Sequence, residues 1–240
     1  MGKTTTAINV AAYLAKAGKR VLLVDLDPQG NATSGLGIDK YAGEHNIYEA
    51  LTGTEEVNNV RHATNIDKLH IIPSNHNLSA AEIDLVNVTK REFKLSGLLE
   101  QLNQDYDICL IDCPPSLGLL SINGLVAADY VMVPVQTEYY AMEGMGQLVQ
   151  TIQRVQQGLN QSLSILGVVM TMYDNRTSLS TQVKEEIGRV FGDLVFSTVV
   201  PRNVRLAEAP SHGAPIIKYD KWSKGARAYK SLTKEIINRL

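Results

Sequence analysis

The sequence predicts an α/β protein with a doubly wound, mostly parallel sheet and helices on both faces. Two observations predict it. Short, wholly apolar, β-branched runs recur along the 240 residues, and segments with helical spacing separate them. No internal repeat, low-complexity tract or Pro/Gly-rich linker interrupts the alternation, so residues 1–240 are expected to form a single domain.

Taken in order, residues 4–16 carry Ile8, Ala11, Ala12 and Ala15 on one stripe and end at Gly18, which predicts a helix. Val21-Leu22-Leu23-Val24-Asp25 follows, an apolar run of the kind found in strands covered on both faces. Further strands are expected at 69–73, 106–112, 130–135, 165–172 and 194–199, and helices at 91–103, 142–157 and 181–191. A last helix over 223–240 puts Tyr229, Leu232, Ile236 and Leu240 on one stripe, expected to face the core. In such a sheet the crossovers are right-handed and ligands sit beyond the carboxyl ends of the strands.

Composition narrows the function classes. A net charge of −2 excludes an overall polycation, so nucleic-acid binding would have to come from a local patch. Residues 216–240 supply one: seven basic residues against Asp220 and Glu235, on a body that is otherwise acidic. Cys109 and Cys113 flank Asp112 and read as reduced thiols, small residues packed in the core. No apolar run approaches a membrane span and no charged-then-apolar leader is present, so a cytoplasmic protein is expected.

The chemistry gathers at the strand ends. Gly2-Lys3-Thr4-Thr5 matches the last part of a phosphate-binding G-x-x-x-x-G-K-[ST] loop at a helix N-terminus. There, backbone N–H groups and the helix dipole attract phosphate oxygens; Lys3 adds a point charge and Thr4 a hydroxyl for Mg²⁺. Asp25 and Asp27 lie two apart at the end of the first apolar run, and Asp112 ends "YDICLID", where a carboxylate would organise a metal's coordination. An ordinary helix start and three capping or turn aspartates are the competing explanation, which leaves their joint placement at consecutive strand ends unaccounted for. Both acidic stretches run into loops, "DPQGNATSGLG" and "DCPPSLG", suited to ordering by a phosphate or to plain turns.

"GKTTTAINVAAYLAKAGKRVLLVDLDPQGN", "IDCPPSLG", "VPVQTEYYAMEG" and "VVPRNVRLAEAPSHG" together resemble the ParA/Soj group of deviant-Walker partitioning ATPases over essentially the whole chain. The resemblance implies a P-loop NTPase-like fold, ATP and Mg²⁺ as cofactors, an ATP-dependent homodimer, non-specific binding to double-stranded DNA on the nucleoid, and a ParB-type partner that stimulates hydrolysis. It carries Lys3 over as the lysine on the β- and γ-phosphates, Thr4 as the Mg²⁺ ligand and Thr5 as a further phosphate contact. Asp27 resembles the aspartate that positions the attacking water and Asp112 its neighbour holding the metal through water, while Asp25 ranks below Asp27. Pro201 and Asn203 match adenine-contacting positions, and Glu138 falls in a segment that contributes to the dimer face. Arg202, Arg205, Lys218, Lys221, Lys224 and Arg227 are the DNA-binding candidates, with ordinary solvated helix cations as the alternative.

The family's loop reads K-G-G-x-G-K-[ST], and Met1 stands at its x position. The expectation is therefore that Met1 is an internal methionine of a K-G-G-M-G-K-T loop and that the first strand of the fold is missing from the sequence. Two other readings remain: a MinD-like membrane-surface ATPase using the last helix, and a non-hydrolysing interaction protein.

Overall fold

The computed structural model describes residues 2–42, 45–138 and 141–240, with residues 141–143 described by backbone only. Six strands form two sheets. β1 (Val21–Asp25) is central in the first, paired in parallel with β3 (Leu69–Ile72) on one side and β4 (Ile108–Asp112) on the other; β2 (His62–Ala63) closes the far edge antiparallel to β3. β5 (Tyr130–Gln136) and β6 (Ser164–Thr171) make a second, parallel pair with a bulge between Val131 and Met132. All five residues of β1 are buried, as the unbroken apolar run requires of a strand covered on both faces.

The helices follow from local signals. α1 (Lys3–Lys16) packs Ile8, Ala11, Ala12 and Ala15 into the main core. α2 (Asn31–Gly35) is one turn long, and α3 (Ile47–Thr52) is closed by an Asn46/Glu49 capping box and by Gly53 at φ 80°. α4 (Ala81–Asp84), α5 (Lys94–Glu100) and α6 (Leu119–Ala127) lie with α3 over Leu22, Val24 and Leu26. α7 (Ala141–Gly158) and α8 (Ser178–Phe191) cover β5 and β6, while α9 (Val204–Glu208), α10 (Ile216–Tyr219) and α11 (Lys224–Arg239) lead back onto α1. Deep inside, Asn9 on α1 donates to the Thr5 carbonyl and accepts from the Ile216 amide at 2.8 Å, tying α1 to α10.

Four expectations need correction. The run at 194–199 is no strand: a 3₁₀ turn at 192–194 leads into extended chain with one isolated bridge, Val168 to Val195, and another just beyond, Tyr173 to Pro201. Phe196 and Val200 still donate to the β6 carbonyls of Val168 and Met170, but the Thr198 amide between them goes, with that of Ser197, to the Glu235 carboxylate on α11 at 2.9 and 2.8 Å, which interrupts the ladder. The helix expected over 91–103 splits into a 3₁₀ turn at Arg91–Phe93 and α5, after Lys90 at φ 56°. Tyr229, Leu232 and Ile236 are buried against α1, whereas Leu240 is exposed. Cys109, expected in the core, is exposed, and Cys113 is half-buried; both thiols are free. The buried stripe of α11 also removes the feature that motivated a membrane-surface reading. Among the described residues no helix is long and apolar enough to cross a membrane.

Candidate functional site

Parallel pairing carries β1 and β4 to one rim, where Asp25 and Asp112 are register partners. Two residues past Asp25, Asp27 is buried at the same rim, its Oδ1 accepting from the Gln29 amide at 2.9 Å. α1 starts against this rim. Its N-cap is Gly2, held at φ 100° with no side-chain cap, so the first amides of the helix are left for an external acceptor. A Cβ on Gly2 would stand 2.9 Å from the Thr171 hydroxyl at the end of β6, in a backbone region that L residues avoid. Lys3 reaches across to the loop after β4, its Nζ donating to the Pro114 carbonyl at 2.9 Å.

The three carboxylates differ. Asp25 is spoken for: its Oδ2 accepts from the Thr33 hydroxyl at 2.7 Å and amide at 2.8 Å, and its Oδ1 from the Asp27 amide. Thr33 in turn accepts from the Ser74 amide, and Ser74 donates to the Asp27 carbonyl, so Asp25 anchors the loop that carries Asp27. Burial raises the Asp25 carboxyl to about 6 despite these donors. Asp112 is raised to about 7, by burial first and then by Asp25, while a hydrogen bond to Thr4 works against the rise. Its Oδ2 is buried and lacks any partner. A buried, unsatisfied carboxylate oxygen beside two further carboxylates calls for a cation or a water held by one.

The residues present fit a magnesium–triphosphate group. Mg²⁺ keeps several waters and takes much of its coordination from phosphates, so it needs few protein oxygens at such a rim. Thr4 and Asp112 would hold it; the bare helix N-terminus, Thr5 and Lys3 would hold phosphates.

Of the other candidates, Pro201 bridges to Tyr173, two residues past Thr171, so its segment adjoins the same end of β6. Asn203 caps α9, its side chain accepting from the Leu206 amide. Glu138 is exposed and hydrogen-bonded to Gln136; Tyr139 and Tyr140, in the stretch quoted for the resemblance, lie outside the described residues. Lys218, Lys221, Lys224 and Arg227 are exposed along α10, its following loop and the start of α11. Arg205 is compensated, with Glu208 at 2.9 Å and Asp220 at 3.6 Å, and Arg202 lies near Asp174.

Sequence reasoning missed Thr33, Ser74 and Trp222. Trp222 is 79% exposed with the Lys221 ammonium 5.2 Å from its ring centre, amid the basic residues. A lone exposed tryptophan beside lysines was a readable signal. Thr33 and Ser74 carry none, because their role arises only where distant loops meet.

Comparison with known proteins identifies the family. A family model described as an AAA domain matches residues 1–165. The sporulation initiation inhibitor protein Soj of Bacillus subtilis is 54% identical over 236 residues, 98% of this chain and 93% of that protein. The chromosome partitioning protein ParA of Myxococcus xanthus is 51% identical over 239 residues, 100% of this chain and 84% of that protein. Among solved structures, a cobyrinic acid a,c-diamide synthase from Mycobacterium smegmatis with bound ADP and magnesium superposes with a TM-score of 0.86 at 37% identity, covering 99% of this chain and 89% of that one. With those matches spanning nearly its full length, the chain belongs to the Soj/ParA family of chromosome-partitioning ATPases.

Proposed function

We propose that this protein is a DNA-partitioning ATPase that binds ATP with Mg²⁺, dimerises on the nucleotide and grips double-stranded DNA without sequence preference. Hydrolysis stimulated by a ParB-type partner releases it, and it works in the cytoplasm on the nucleoid. One observation carries the nucleotide part: the buried, unpartnered Oδ2 of Asp112 at a rim shared with the uncapped start of α1.

Bound Mg²⁺ would neutralise charge on the triphosphate as the terminal phosphoryl transfers. The chain's own residues position and exclude. With nucleotide bound, Lys3 would exchange the Pro114 carbonyl for phosphate oxygens, and the first amides of α1, with Thr5, would donate to the phosphates. Thr4 would hold the metal through its hydroxyl, and Asp112 would hold it through water. Asp27, on the loop that Asp25 and Ser74 anchor, accepts a hydrogen bond from the attacking water and so orients it. Pro201 and Asn203 would flank the adenine.

For DNA, the exposed cations Lys218, Lys221, Lys224 and Arg227 supply a sequence-independent electrostatic grip; Arg202 and Arg205 stand behind them. Two such patches on one dimer raise avidity without a new contact.

Titration with a fluorescent ATP analogue tests the reading, with and without Mg²⁺. Lys3→Ala is expected to weaken binding at least about tenfold, the loss of one charge-assisted contact worth about 1.4 kcal/mol or more. Equal affinity of Lys3→Ala and the unaltered protein would sink it. The DNA half is read from salt dependence: Lys221→Ala with Lys224→Ala should flatten the slope of log affinity against log salt.

A further inference from the structure

Among the described residues Trp222 is the most exposed large apolar side chain, at 79%. It stands in the turn between α10 and α11, and that turn is fixed on both sides of it. The Trp222 amide donates to Asp220 Oδ1 at 3.1 Å, and the other oxygen of Asp220 faces Arg205 at 3.6 Å. Ser223, the next residue, donates through its hydroxyl to the Asp220 carbonyl at 2.9 Å and caps α11 by accepting from the Ala226 amide at 3.1 Å. The ring is therefore held out to solvent by an ordered turn, and the core gains little from it.

Cations surround it. Lys218, Lys221, Lys224 and Arg227 are exposed, and Lys230 and Lys234 continue from Arg227 along one side of α11 at spacings of three and four residues. The Lys221 ammonium lies 5.2 Å from the centre of the indole ring, so charge and aromatic surface are presented together.

We infer that Trp222 is an aromatic anchor for duplex DNA, wedging against the bases while the cations around it hold the phosphates. The inference deepens the DNA half of the proposed function and rests on it. Cations alone give a grip that falls steeply with salt, because it comes from counterion release. A ring against a base adds attraction that salt does not screen, and every base offers a π-face, so the addition demands no particular sequence. The surroundings favour this partner over a lipid surface. A helix that lies on a membrane needs a whole apolar face to insert, and the stripe of α11, Tyr229, Leu232 and Ile236, is buried against α1. One ring within a field of positive charge matches a polymer that carries phosphates outside and aromatic rings inside.

Trp222 is the single tryptophan of the 240 residues, so its own emission reports on the contact. A mixed-sequence duplex added to the protein with ATP and Mg²⁺ should quench that emission saturably. Trp222→Ala should bind a labelled duplex about five- to tenfold more weakly at every salt concentration, giving a line of log affinity against log salt parallel to that of the unaltered protein. Trp222→Phe should recover part of the loss, and the melting temperature should stay unchanged in both variants. Unaltered affinity in Trp222→Ala would overturn the anchor while leaving the DNA reading intact; failure of the unaltered protein to bind the duplex would overturn both. A flattened salt slope in Trp222→Ala would mean that the ring only places Lys221, and a lowered melting temperature that its role is structural; either result overturns the proposal. So would a blue-shifted, brighter emission with phosphatidylglycerol vesicles and no quenching by DNA, which would assign the ring to a lipid surface.

Discussion

Asp25 and Asp112 are partners on one rung of the β1–β4 ladder, yet only Asp25 has both carboxylate oxygens hydrogen-bonded; Oδ2 of Asp112 has nothing. The same rung therefore holds a structural carboxylate and one in need of a ligand. Their different surroundings yield separate, measurable consequences.

Burial holds Asp25 near 6 and Asp112 near 7, both above the ordinary carboxylate value. The folded protein then binds more protons than the unfolded chain between roughly pH 4 and pH 7. Their contribution favours folding at the acid end of that window, declines as pH rises through it and levels off above. Asp112→Asn should flatten the upper part of this slope and raise the melting temperature at pH 8, with little change at pH 5. Thermal melts in a pH series check it; an unchanged slope would mean that Asp112 ionises as an ordinary carboxylate.

Thr33 donates to Asp25 through both hydroxyl and amide and accepts from the Ser74 amide. Thr33→Val keeps the volume but strips one donor from a buried carboxylate and orphans an amide. Loss of a hydrogen bond to a charged group costs about 1.5–3 kcal/mol. Urea unfolding should register that loss, and Thr33→Ser should recover most of it.

Gly2→Ala meets two obstacles at once: a φ of 100° and the Thr171 hydroxyl 2.9 Å from the new Cβ. The left-handed conformation alone costs an L residue about 1–2 kcal/mol. The start of α1 should shift, with nucleotide affinity falling more than tenfold while the helical circular dichroism is retained. Retained affinity would mean that the loop tolerates a side chain there.

Arg239 donates to the carbonyls of Leu166, Leu194, Asp193 and Val195 and lies 4.1 Å over the Phe196 ring. No ammonium can reproduce that planar fork. Arg239→Lys is expected to destabilise by about 1–3 kcal/mol, read by chemical unfolding, and to loosen the 192–200 segment in hydrogen exchange.

The alternation of apolar runs with helical stripes was enough to place five of the strands and the first and last long helices, because burial on two faces and burial on one stripe leave different periods in sequence. Lys3, Asp27 and Asp112 were likewise legible as rim residues, since parallel strands present their carboxyl ends to one side. The 194–199 run misled because its propensity is that of a strand, while two of its amides were captured by Glu235, nearly forty positions later.

What the sequence determined by itself is the order of elements and the rim on which the chemistry collects, for both follow from patterns within a few residues of each other. Tertiary structure alone decided that Asp25 anchors through Thr33 while Asp112 keeps an unmet oxygen, and that β4 and β5 fall in separate sheets. Those depend on which distant groups arrive at the same point, and on which fail to.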